Sequence, residues 1–146
     1  MKAGKLLISA VTGTSIMTGF SYMVSASKRK NFREPELLAH FFQSVNPDLS
    51  SSRALAAGWA THYSLGIVWA IVHHLLLQTT GTRPSIKAGL SLGLFSGFVG
   101  VAVWHQLFKL QPSLPSTPLQ RFYSHLMVAH LVFSLTVVHK NKEVHD

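Results

Sequence analysis

Charge is confined to short intervals of this chain, and between them lie four runs without Asp, Glu, Lys or Arg: 6–27, 54–82, 88–108 and 122–139. Each reaches the length of about 18 residues that marks a helix able to cross a bilayer. Lipid offers no hydrogen-bond partners to bare backbone, so such a run crosses as a helix that satisfies its own amides. The pattern predicts spanning helices over 4–27, 53–78, 85–109 and 118–139. Between the first two, Leu37, Leu38, Phe41, Phe42 and Val45 recur at helical spacing behind Pro35. That predicts an amphipathic helix over 35–45, too short to cross and laid along the membrane face. The fold class is all-α: a four-transmembrane-helix bundle with a short interfacial helix between the first two spans. Residues 1–146 make a single integral membrane unit.

The breaks agree with these elements. Asn46-Pro47-Asp48 ends the amphipathic segment, Ser50-Ser51-Ser52 offers caps to the second span, and 79–84 is a tight turn. Pro112, Pro115 and Pro118 stiffen the last connector, where Thr117 before Pro118 suits the start of the fourth span. The first span resembles a signal peptide in having Lys2 and Lys5 ahead of an apolar run and Val24-Ser25-Ala26 near its end. The run is longer than an ordinary h-region, and Lys28-Arg29-Lys30 follows at once, so it is expected to be retained.

Each span has a distinct face. Thr14, Thr18, Ser21 and Ser25 line one side of the first, as expected for hydroxyls bonded to a neighbouring helix or back to their own backbone. Gly58, His62, Gly66, Trp69 and His73 share a stripe on the second. Gly89, Gly93, Gly97 and Gly100, with Trp104, share one on the third, where small residues let another backbone approach closely.

Composition narrows the class. Only 12% of residues are charged against 47% hydrophobic, about half the charged share of a soluble domain. The net charge of +8 has one dense centre, Lys28, Arg29, Lys30 and Arg33, at the end of an apolar run. There it serves lipid headgroups, and no basic stripe with interleaved aromatics suggests nucleic acid as a partner. Without cysteine there are no disulfides, thiolate ligands or Cys nucleophile. A phosphate loop, GxSxG, HExxH and paired intramembrane carboxylates are all missing, so the sequence leans away from an enzyme.

Nine histidines are the remaining chemistry. His105 lies four residues before Lys109, His125 four after Arg121, and His62 nine after Arg53. By helical rise, three spans therefore bring one imidazole each to a similar depth near the face that carries the long loop. His40 on the amphipathic segment is able to approach from above. A set of His62, His105 and His125 suits a transition metal; His62 and His125 as a pair suit haem; either set suits proton relay. No Asp or Glu lies within a span, which weakens the relay. Against all three stands a plainer reading, in which each imidazole bonds a headgroup, water or a neighbouring helix; it is preferred for the cluster and still more for His73, His74, His130 and His139. The runner-up function is a non-catalytic assembly subunit, a homo-oligomer or part of a membrane complex, packing through the glycine face of the third span. The tryptophans and tyrosines read as interface anchors and packing.

Several short motifs also resemble the YagU-like bacterial inner-membrane proteins, over about residues 57–140. They are Thr61-His62 followed by Ile67-Val68-Trp69-Ala70, Lys87-Ala88-Gly89-Leu90 with Gly93, Trp104-His105 before Pro112, and Ser124-His125-Leu126. The resemblance implies a multi-helix fold in the bacterial cytoplasmic (inner) membrane and a His in each of three spans. It implies no reaction.

Overall fold

The computed structural model describes residues 3–111 and 118–142; the connector with Pro112, Pro115 and Thr117, and the polar tail, lie outside them. Five helices follow one another: α1 Ala3–Lys28, α2 Glu34–Val45, α3 Ser51–Thr79, α4 Ile86–Leu110 and α5 Leu119–Lys142. All but α2 are long and apolar enough to cross a membrane.

The buried face of α1 is more polar than its outward face. On α1 the buried residues include Ser9, Thr14, Thr18, Ser21 and Ser25, whereas Leu7, Ile8, Ile16 and Met23 face outward. In water that helix would be inside out. In lipid the arrangement is favourable, because apolar side chains meet acyl chains and hydroxyls find partners within the protein. The expected back-bonding occurs: Thr14, Thr18 and Ser25 donate to the carbonyls four residues earlier at 2.8, 2.6 and 2.7 Å. The chain is an integral membrane protein.

Lateral order follows from which faces hold small residues. α5 packs against α4 on one side and α1 on the other; α3 packs on α1, and α2 lies across α3. The α3 stripe turns inward as its spacing predicts, with Gly58, His62, Gly66 and His73 buried. The α4 glycines face α5 of the same chain: a Cβ at Gly93 would lie 2.9 Å from the Leu131 Cα, and one at Gly89 2.9 Å from the Leu135 side chain. This corrects the expectation that the glycine face serves assembly with another chain. Its partner is already in place.

At the loop-side end α1 stops at Arg29, whose φ of 52° reverses the chain. The Phe32 amide then donates to Ser25 Oγ at 3.0 Å, and the Phe32 ring turns into the core. This places the first turn of α2 inside the bundle end, with Glu34, Pro35, Leu37 and Leu38 buried. α3 and α4 are neighbours in sequence but touch very little. The opening between them is where the candidate site lies.

Candidate functional site

Glu34 anchors the polar interior. Its residue is 2% exposed, a value that for a carboxyl demands an explanation. The α1 reversal delivers it beside Ser21, whose hydroxyl donates to Glu34 Oε1 at 3.0 Å. The same hydroxyl lies 2.9 Å from His125 Nε2 on α5. Carboxyl and imidazole are 3.8 Å apart, too far for a direct hydrogen bond, so Ser21 mediates between them. With Ser21 donating to the carboxylate, its oxygen accepts from a protonated His125 Nε2, which fixes the tautomer. Glu34 Oε2 has no partner among the described residues. Burial pushes the carboxyl up from 4.5 to about 7, opposed by hydrogen bonds from its own backbone amide and from Ser21.

One turn away on α1, Thr18 Oγ1 lies 2.8 Å from His62 Nε2. On the α4–α5 side, His130 Nδ1 lies 3.1 Å from Ser96 Oγ, and Nε2 rests against Gly100. These groups border a cavity of about 130 Å³ between α3 and α4, lined by Glu34, His62 and His130 on a largely apolar wall that includes Trp69, Trp104 and Phe133. At its rim Leu65, Val99 and Val103 are 48, 38 and 52% exposed, so the cavity opens sideways toward lipid.

The proposed histidine cluster does not assemble. His105 is half-buried, with Nδ1 3.0 Å from the Tyr123 hydroxyl. His62 and His125 are held separately by Thr18 and Ser21. Among the described residues no three His, Cys, Asp or Glu side chains are grouped so as to hold a metal ion. Equal depth along three helices does not make their rings converge, because each points where its own helix face points. His62, His105 and His125 therefore form no three-histidine site for a transition metal. His40 is exposed and takes no part.

No family model, curated protein or solved structure matches the chain. His130 follows the plainer reading by bonding Ser96, but His73 departs from it. It is fully buried with neither ring nitrogen partnered among the described residues, and it sits beside the Trp69 and Phe133 rings. The residue that sequence reasoning missed is Glu34, left just outside the amphipathic helix. A signal was present: Glu34 stands three and four residues before Leu37 and Leu38, on the face that is buried.

Ser21→Ala tests the mediated contact. It leaves the Glu34 and His125 groups without their shared partner, and stability should fall by about 1–2 kcal/mol. Reversible unfolding in mixed micelles measures this; an unchanged midpoint would mean the hydroxyl contributes nothing.

Proposed function

We propose that the protein binds, from within the bilayer, a hydrocarbon-rich molecule with a small hydrogen-bonding head. The observation that carries this reading is the cavity between α3 and α4: apolar walls, a lipid-facing mouth, and three buried polar groups at one place. Largely apolar cavities with a few convergent polar groups are the usual form of small-molecule sites. At about 130 Å³ it takes roughly one ring or a short length of chain. The rest of the molecule then lies between the helices and in lipid. Glu34, whose buried Oε2 has no partner among the described residues, and His130 both line this space and are the groups a hydroxyl head would meet. Ser21 is fully buried and lines no part of this cavity, which disfavours a nucleophilic role.

The YagU-like motifs and the dense Lys28–Arg33 region support placing the chain in a bacterial inner membrane with the long loop toward the cytoplasm. A second copy or membrane-complex partner would dock on the outer apolar faces, since α5 covers the α4 glycines.

A fatty alcohol carrying a photoactivatable diazirine near its hydroxyl tests the binding. In reconstituted protein, adducts should concentrate on residues lining the cavity. Val103→Trp, which places an indole at the mouth from an already exposed position, should reduce them at least tenfold. Equal labelling of outward-facing Leu7, Ile8 and Met23 would overturn the proposal.

A further inference from the structure

A second concavity, at the loop-side end of the bundle, belongs to a different chemistry. It is a crevice of about 590 Å³ between the last turn of α1 and the first of α5, lined by Lys28, Lys30 and Arg121. Gln120, Ser124 and His125 complete its polar wall, with Val24 and Phe32 beneath. We propose that this crevice binds the phosphate headgroup of an anionic phospholipid.

The charge balance argues for an anion. Three cations border one space, and none forms a salt bridge among the described residues, where the ion pairs are Arg33 with Glu36 and the longer His125–Glu34 contact. Glu34 lies on the far side of Ser21 and does not line the crevice. The first turn of α5 contains no acidic residue but does contain Arg121. A cation there opposes the positive end of the helix dipole, and a bound anion removes that conflict. Lys28 and Lys30 are exposed and long enough to close on a phosphate from above, while Arg121 supplies a planar fork for two of its oxygens.

Location selects the source. The crevice sits at the loop-side ends of the α1 and α5 spans, the part of a spanning helix that meets lipid headgroups. Val24 and Phe32 offer an apolar floor to glycerol and the first acyl carbons, which a free phosphate would leave uncovered. This site is separate in space from the α3–α4 cavity, although His125 on its wall reaches Glu34 of that cavity through Ser21.

The test uses the whole protein reconstituted with phosphatidylcholine alone or mixed with phosphatidylglycerol, retained lipid being counted by native mass spectrometry. Phosphatidylglycerol should be retained at least tenfold over phosphatidylcholine. Joint Lys28→Ala, Lys30→Ala and Arg121→Ala should bring that ratio near one. Arg53→Ala with Lys109→Ala, which removes charge from the same face outside the crevice, should leave it unchanged. Absence of a preference, or equal loss in the control pair, would overturn the site. Inorganic phosphate at millimolar concentration should not displace the lipid; displacement would transfer the site to a soluble phosphate anion and overturn the lipid assignment.

Discussion

As the pH rises from 4.5 to about 7, the stability of the wild-type protein relative to Glu34→Gln should fall. Folding raises the Glu34 carboxyl from 4.5 to about 7 because burial penalises its charged form. Between those values the folded chain holds a proton that the unfolded chain has released, so the folded state is progressively disfavoured as protons become scarce. The contribution is fully present below 4.5, is lost through about 7, and is flat above. The interval corresponds to about 3 kcal/mol. The facing groups are Ser21 on α1 and His125 on α5, with His62 across the cavity; neighbouring Arg33 is engaged by Glu36 at 3.0 Å. Subtracting the Glu34→Gln profile isolates the carboxyl from those histidines. Glutamine keeps the shape and an oxygen for Ser21 without a charge to bury, so the variant should be the more stable protein at pH 8. Glu36→Gln, whose pair with Arg33 is partly exposed, should change stability by less than about 1 kcal/mol. Unfolding in mixed micelles from pH 4 to pH 8 reads all three proteins. A difference between the wild-type and Glu34→Gln profiles that stays flat from 4.5 to about 7 would refute the assignment.

The same carboxyl shows where sequence reading stops. The four spans were legible because lipid permits a long uncharged run few structures other than a helix. The faces of α1 and α3 were legible because residues three and four apart share a side. Depth was legible too, since rise per residue is fixed. Direction around the axis was not. His62, His105 and His125 reach comparable levels, yet they end on Thr18, Tyr123 and Ser21 because helix order decides which wall each ring meets. The α4 glycines announced a close contact without naming the partner, and the partner is α5. Glu34 was hidden by a boundary drawn one residue late. Extending the α2 register back to it would have shown a carboxyl on the buried face, and with it the polar centre of the bundle.

Gly58→Ala should undo that centre from a distance. An alanine in the interior of a helix ordinarily stabilises it by about 1 kcal/mol relative to glycine. Gly19 is such a position, with nothing within 4 Å of where a Cβ would sit, and Gly19→Ala should be neutral or stabilising. At Gly58 the sign reverses. The new methyl would run into the Pro35 carbonyl and come within 2.9 Å of the Ala39 nitrogen, both backbone atoms of α2. A side chain can rotate aside; a helix backbone can only move as a body. α2 must therefore lift from α3, and since it carries Glu34 at its first turn, the carboxyl lifts with it. Overpacking of this kind costs about 1–3 kcal/mol, and rigid atoms on both sides place Gly58 at the upper end. Two readouts separate this from general damage. Unfolding should come at lower denaturant than in wild type, while the part of the pH dependence between 4.5 and about 7 that Glu34→Gln removes should shrink as Glu34 regains solvent. Combining Gly58→Ala with Glu34→Gln should then be non-additive, because the first substitution removes much of the burial that the second relieves. If Gly58→Ala proves as stable as Gly19→Ala and keeps that part of the pH dependence in full, α2 does not bear on α3 at this point, and the account of how Glu34 is held inside the bundle fails with it.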